Sequence, residues 1–399
     1  MTEAAKRNLA IATGVCGVCG IYAWVLYFAI FAHEPAEDWL VFHTAARAFL
    51  DGDHALIWDG ARFTALLNER YAAWLSSPLL LHPWVYPPSF LLLLLPFGLV
   101  GAGVGLALFL LVTYGAVLAA AARVGADWRR RLVYLFTLTL CPAVGSTAFT
   151  GQNAYLTSAL FLGGFSLVER RPWIGGAVLG LLSAKPQFFL LVPVALAGAR
   201  NWRALVGAVA GAGLLALAAL TVFGSGDWLA WFGLATGSNG LYADWVTVGR
   251  LNGISLFACA RLLGASPSVA NLAQMTGIVL AGTVVFWVFR ATARHELRLA
   301  AILAGAILAA PHASGQDGVL LGLAAAAFLT SALEDGLPVS DAVVASLVWI
   351  SPLLNPPSLF RIGLITPAIV AWFLLRVTLA ASRRQPAPPR AVGEASLAS

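Results

Sequence analysis

A few polar side chains interrupt stretches that are otherwise apolar, and their types could do chemistry. Lys185 is the only lysine apart from Lys6, and it stands in LLSAKPQFFLL between two apolar runs, followed by Pro186 and Gln187. An ammonium there either snorkels to a membrane surface or serves as a point charge for an anion. Asp38 follows the first apolar run, within EPAEDWLVFHTAARAFL. Its carboxylate is suited to cap the next helix or to act as a general base, with burial raising its pKa. Glu34 and Glu37 are rival bases, whereas Asp51, Asp53 and Asp59 read as turn residues. Gln152 and Asn153 in TGQN form either a turn before a helix or a pair of neutral hydrogen-bond donors. His312 and Asp317 lie in PHASGQDG, where a histidine can orient a ligand, bind an anion when protonated, or bond to backbone in a broken helix.

The elements that hold these groups are membrane helices. Of 399 residues, 60% are hydrophobic and only 11% charged, and the mean hydropathy is +0.84. Soluble domains carry about a quarter charged residues, and their helices show apolar stripes, not unbroken apolar runs. Runs of about 17–25 apolar residues match the hydrocarbon thickness of a bilayer. The net charge of +6 therefore points to loops on the inner side of a membrane and not to nucleic acid.

The basic clusters are Lys6/Arg7, Arg123 with Arg129–Arg131, Arg170/Arg171, Arg200/Arg203, Arg290/Arg294/Arg298 and Arg383/Arg384/Arg390. If all face the cytoplasm, the apolar segments between them cross in pairs. The expectation is an all-α polytopic protein of about twelve spans in the inner (plasma) membrane, with both termini cytoplasmic. The hairpin tips then share the outer face: loop 33–87, TGQN, SAKPQ, residues 224–250, PHASGQDG and NPPS. Asp38, Gln152, Asn153, Lys185, Gln187, His312, Gln316 and Asp317 fall on these tips. Arg250, in DWVTVGRLNG, lies far from the inner clusters and is a second candidate anion ligand against a plain surface-loop role.

Residues 9–32 read as the first span, too long for a cleaved signal peptide. Pro96 and Gly98 break the apolar stretch 88–122, whose first part is expected to be re-entrant or interfacial, as is 251–264. Loop 33–87 is rich in Trp, Tyr and Phe. Apolar spacing over 38–50 and 62–75 predicts two interfacial helices on the outer leaflet. Cys16 and Cys19 form a CxxC inside an apolar segment without further ligands, so they read as small packing residues. His33, His43, His54 and His82 show no metal-ligand spacing, and no metal or other cofactor is expected. Residues 1–380 read as one transmembrane domain, and 381–399 as a disordered Pro- and Ala-rich tail.

Several motifs together resemble glycosyltransferase family 87. They are Asp-aromatic-x-x-aromatic-x-x-Ala-Ala-x-x-x-Leu-x-Gly from Asp38 to Gly52, then Tyr86-Pro87-Pro88, Gly151-Gln152-Asn153 and Lys185-Pro186-Gln187. The resemblance runs from about residue 9 to 380. Phe42 and His43 stand where members often have tyrosines, and Gln316-Asp317 is not the commonest form of the final loop.

The resemblance implies a GT-C membrane fold and a transferase that takes a sugar, mannose or another hexose, from a polyprenyl-phosphate donor. The acceptor would be a lipid or glycan on the outer face. It implies Asp38 as the base that deprotonates the acceptor hydroxyl. Lys185, Gln152, Asn153, Gln187 and Arg250 would cradle the donor phosphate. His312, Asp317, Tyr86 and His43 would contact sugar or acceptor. A single carboxylate base suits direct, inverting displacement better than a covalent intermediate. A lipid or solute transporter is the rival reading. Transporters gather polar groups near the midplane on repeated halves, and no repeat is visible here.

Overall fold

The computed structural model describes residues 3, 36–124, 127–236, 253–332, 336–354 and 365–382. The expected first span, Cys16, Cys19, Arg250, NPPS and the tail from Arg383 lie outside the described residues. Among the described residues every regular element is helical, apart from one isolated antiparallel bridge between Gly253 and Ser314.

The aromatic loop supplies α1 (Glu37–Leu50), α2 (His54–Trp58) and α3 (Gly60–Arg70). The bundle follows with α4 (Pro88–Gly98), α5 (Ala102–Val124), α6 (Trp128–Thr139), α7 (Pro142–Thr150) and α8 (Ala154–Val168). Next come α9 (Pro172–Gly180), a 3₁₀ turn over Leu181–Ala184, α10 (Pro186–Phe189), α11 (Leu191–Gly198) and α12 (Trp202–Ala235). The last elements are α13 (Leu256–Leu262), α14 (Pro267–Ala291), α15 (His295–Ala309), α16 (Val319–Ser331), α17 (Val339–Ile350) and α18 (Ile365–Ser382).

Local chemistry explains many of the ends. Pro88, Pro142, Pro172, Pro186 and Pro267 all sit in a first turn, where the missing N–H costs nothing. Asp127, Asn201, Ser255 and Ser266 cap the helices that follow them through side-chain bonds to free backbone N–H groups. The break in 88–122 falls between Gly98 and Ala102, close to the expected Pro96 and Gly98, and leaves α4 at 11 residues. At about 1.5 Å per residue that is too short to cross a bilayer.

Among the described residues four helices are long and apolar enough to span a membrane: α5, α12, α14 and α18. A fifth span arises if α6 and α7 count as one helix bent by 52°. The expectation of about twelve spans is not met among the described residues. Charge at the loops marks where the chain turns, but not whether an apolar segment stays helical throughout. Outward-facing apolar residues on α5, α12 and α14, such as Leu111, Leu214 and Val279, are exposed and suit a lipid surrounding. In contrast, α15 from Leu299 onward and all of α16 are buried, so these two apolar helices form the centre of the bundle.

Glycines bring helices together. Gly176 and Gly180 on α9 face Gly207 and Gly211 on α12, a small-x-x-x-small pair on each side. A Cβ on Gly176 would overlap the Ala204 carbonyl. Cross-helix contacts also order the ends of the bundle. Gly164 meets Leu179 and Gly175 meets Val168, so α8 and α9 run antiparallel. Gly277 meets Leu308 and Arg298 bonds to the Phe289 carbonyl, so α14 and α15 do too. Residues 150–153, 184–187 and 310–318 therefore share one end of the bundle. Arg170, Arg171, Arg200 and Arg294 mark the other, with exposed Trp128, Trp173 and Trp202 beside them.

The predicted helices over 38–50 and 62–75 are present as α1 and α3, though α3 stops at Arg70. Residues 39–46 of α1 are all buried, so this helix packs within the protein and does not rest on a surface. Its aromatic core includes Trp39 stacked on Phe109 at 5.3 Å and Phe42 edge-on to Phe90 at 5.1 Å. Trp39 Nε1 also donates to the Ala102 carbonyl at 2.8 Å.

Candidate active site

A cavity of about 380 Å³ opens at the end of the bundle away from the arginine clusters. That volume lies within the range of small-molecule sites. Asp38, Tyr86, Gln152, Lys185, Gln187, His312 and Asp317 all line it. The structure thus brings together seven of the residues singled out in the sequence.

Each reaches the cavity through a specific local feature. Asp38 lies in the first turn of α1, whose N-cap is Ala36 and carries no side-chain cap bond. Asp38 thus stands two residues past the N-cap, where a carboxylate also suits the positive end of the helix dipole. The Ala36 N–H donates to the Phe149 carbonyl at 2.7 Å, which ties the start of α1 to the end of α7. Gly151 ends α7 with φ +71°, and a Cβ there would run into Trp39. Only glycine allows this turn to press against α1 and carry Gln152 to the cavity wall.

Hydrogen bonds fix the Gln152 amide. Its Oε1 accepts from the Asn153 backbone N–H at 2.8 Å and from Tyr86 Oη at 3.2 Å. A backbone N–H can only donate, so the oxygen is assigned and Nε2 is the end left as a donor.

Lys185 is buried and sits where the 3₁₀ turn ends and α10 begins. Its Nζ donates to Asp317 Oδ1 at 2.6 Å and to Asn153 Oδ1 at 3.0 Å, and lies 4.9 Å from the centre of the Phe188 ring. Asn153 is buried behind the lysine and does not line the cavity. It holds Lys185 instead of forming part of the surface.

Asp317 is committed on both oxygens. Its Oδ2 accepts from the Ser314 N–H at 3.0 Å and from Ser314 Oγ at 3.3 Å, a capping box over the turn Gly315–Gly318. The sequence reading made Asp317 a sugar or acceptor contact. It lines the cavity, and its bonds also make it the counter-ion of Lys185.

His43 departs further from expectation. It is buried on the side of α1 away from the cavity, with Nδ1 2.6 Å from Tyr71 Oη and Nε2 2.9 Å from the Val100 carbonyl. Five residues beyond Asp38, it is turned by about 140° around the helix, at 3.6 residues per turn. Phe42, four residues on, does face the cavity. Burial lowers the His43 pKa.

His312 is exposed, but to the cavity, and lies 6.4 Å from the Phe257 ring centre. Desolvation pushes its pKa down to about 4, so with no anion beside it the ring is neutral at pH 7. The bridge between Gly253 and Ser314 and the Ile254 N–H bond to the Ala313 carbonyl hold this loop against the start of α13.

Other lining residues had been given no role. His82 is buried at the cavity wall, with Nε2 3.9 Å from Glu37 Oε2. Its place four residues before Tyr86 was the available signal. Gln316 lines the cavity beside Asp317, and Trp231, Leu234 and Phe257 give it an apolar side. Among the described residues no group of three metal-ligating side chains occurs, and Cys141 and Cys259 are buried.

Apolar helices around a cavity with polar groups on its wall define a helical membrane protein with a candidate ligand site at one end of its bundle. Residues 84–315 match the model of glycosyltransferase family 87. The chain belongs to that family and is a membrane glycosyltransferase. The matched stretch is shorter than the 9–380 suggested by the motifs. It contains Tyr86, Gln152, Asn153, Lys185, Gln187, Arg250 and His312, and leaves Asp38, Gln316 and Asp317 outside. No curated protein and no solved structure matches the chain.

Proposed function

We propose that the chain transfers a hexose, such as mannose, from a polyprenyl-phosphate carrier to a lipid or glycan acceptor outside the inner membrane, through a GT-C-type fold. The observation that carries this reading is the convergence of Asp38, Lys185 and Gln152 on one cavity with an apolar side. Such a cavity suits a ligand with a charged head, a hydroxylated sugar and a hydrocarbon tail.

Asp38 takes the proton of the acceptor hydroxyl as its oxygen bonds to the anomeric carbon. The bond from that carbon to the phosphate oxygen breaks, and polyprenyl phosphate leaves with the electron pair, inverting the configuration. Lys185 has three N–H donors, two of them held by Asp317 and Asn153. The third N–H and Gln152 Nε2 serve the departing phosphate. Gln187, at the same wall, adds a neutral donor. Arg250 remains a candidate phosphate ligand from outside the described residues. His312 and Tyr86 border the sugar or the acceptor.

Positive loops face the cytoplasm as a rule, and the site lies at the end opposite the arginine clusters, which favours an outward-facing site. The same end-on placement argues for an enzyme over a transporter with a midplane site. The test incubates membranes containing the protein with radiolabelled polyprenyl-phosphate mannose, other lipid-linked hexoses, or nucleotide sugars. Transfer from a lipid-linked donor with inverted configuration is expected. Transfer from nucleotide sugars alone would overturn the donor class, and retained configuration would overturn the single displacement.

A further inference from the structure

Gln316 is a polar side chain that the roles given above leave unused. It is buried, it lines the cavity next to the Lys185–Asp317 pair, and its Oε1 is shut off from water with no hydrogen-bond partner among the described residues. Its backbone is held in place. Its backbone carbonyl accepts from Thr147 Oγ1 at 3.1 Å, and the turn that carries it is closed by the Ser314–Asp317 capping box.

A buried acceptor without a donor is costly, and native proteins rarely keep one without a reason. The missing donor must be small enough to enter the cavity and must carry an O–H or N–H group. A phosphodiester offers only acceptors and cannot supply it. A sugar hydroxyl can. The terminal amide torsion is soft, and rotation about it is the movement by which Oε1 would meet a hydroxyl in the cavity.

We infer that Gln316 determines sugar specificity by accepting a hydrogen bond from one hydroxyl of the transferred hexose. This rests on the transferase reading of the cavity. It divides the site by polarity: Gln152 Nε2 and Lys185 donate to the phosphate, and Gln316 Oε1 accepts from the sugar. Because the family match ends at Gly315, the assignment concerns this chain's own residue.

The test is a cycle between enzyme and donor. Wild type and Gln316→Met are compared with polyprenyl-phosphate mannose and its 2-, 3-, 4- and 6-deoxy analogues. A lost hydrogen bond to a buried polar group lowers kcat/KM by about tenfold to a hundredfold. Wild type should show that loss with the analogue lacking the recognised hydroxyl. Gln316→Met should show it already with the natural donor and lose nothing further with that one analogue. Equal losses for every analogue in both proteins would overturn the inference. Gln316→Asn, with the amide withdrawn by one methylene, replaces Gln316→Met if the latter does not fold. Should wild type transfer no lipid-linked sugar, the lipid-linked donor reading falls. The same cycle run on donor binding, read from the change in dissociation constant, then still decides for or against Gln316.

Discussion

Lys185 Nζ stands 2.6 Å from Asp317 Oδ1, although 132 residues separate the two in the chain. Both are buried, so each is the other's condition for remaining in the protein. Removing one partner of such a pair strands a charge and costs about 3–5 kcal/mol, while removing both costs far less. Lys185→Met and Asp317→Asn should each lower the unfolding temperature in detergent. The double variant should recover most of the loss in stability but not the activity. Single variants as stable as wild type would contradict the pairing.

His43 holds α1 to Tyr71 and the Val100 carbonyl and does not line the cavity. His43→Phe removes the bonds to the Tyr71 hydroxyl and the Val100 carbonyl, at a cost of about 1 kcal/mol each. The folded fraction should keep kcat and KM within twofold of wild type. A selective rise in KM for the acceptor would return His43 to the substrate.

His312 carries a pH signature. Its pKa lies near 4 in the folded protein against 6.5 in an unfolded chain. As pH falls from 6.5 towards 4, the unfolded chain takes up a proton that the folded chain refuses, so stability declines across that window. Exposure of the ring to the cavity keeps the effect small. Unfolding temperatures measured between pH 7 and 4 should decline less steeply in His312→Gln. Parallel curves would show that the imidazole titrates normally.

Much of the site was legible because polar residues in apolar runs stand out, and each marked a helix break. Pro186 after Lys185 and Gly151 before Gln152 are breaks that local chemistry announces. The Lys185–Asp317 pair was not legible, because no periodicity connects two turns so far apart. His43 was misplaced because it neighbours Phe42, and one residue on a helix is about 100° of rotation at 3.6 residues per turn. Gln316 stood out as a polar residue of an outer tip but had no role, because its distinction is an unpartnered amide oxygen, which only packing reveals. The ends of the bundle followed from loop charge, but spans such as α6 and α7 bend at the Cys141–Pro142 step in a way that charge does not report.

Asp38 carries the central claim, and the most direct measurement is single-turnover sugar transfer by Asp38→Asn. Its side chain keeps the size of the carboxylate and loses the basic oxygen. The account predicts a fall in rate of about a hundredfold or more, with donor binding and unfolding temperature unchanged. Transfer by Asp38→Asn at the wild-type rate would contradict it.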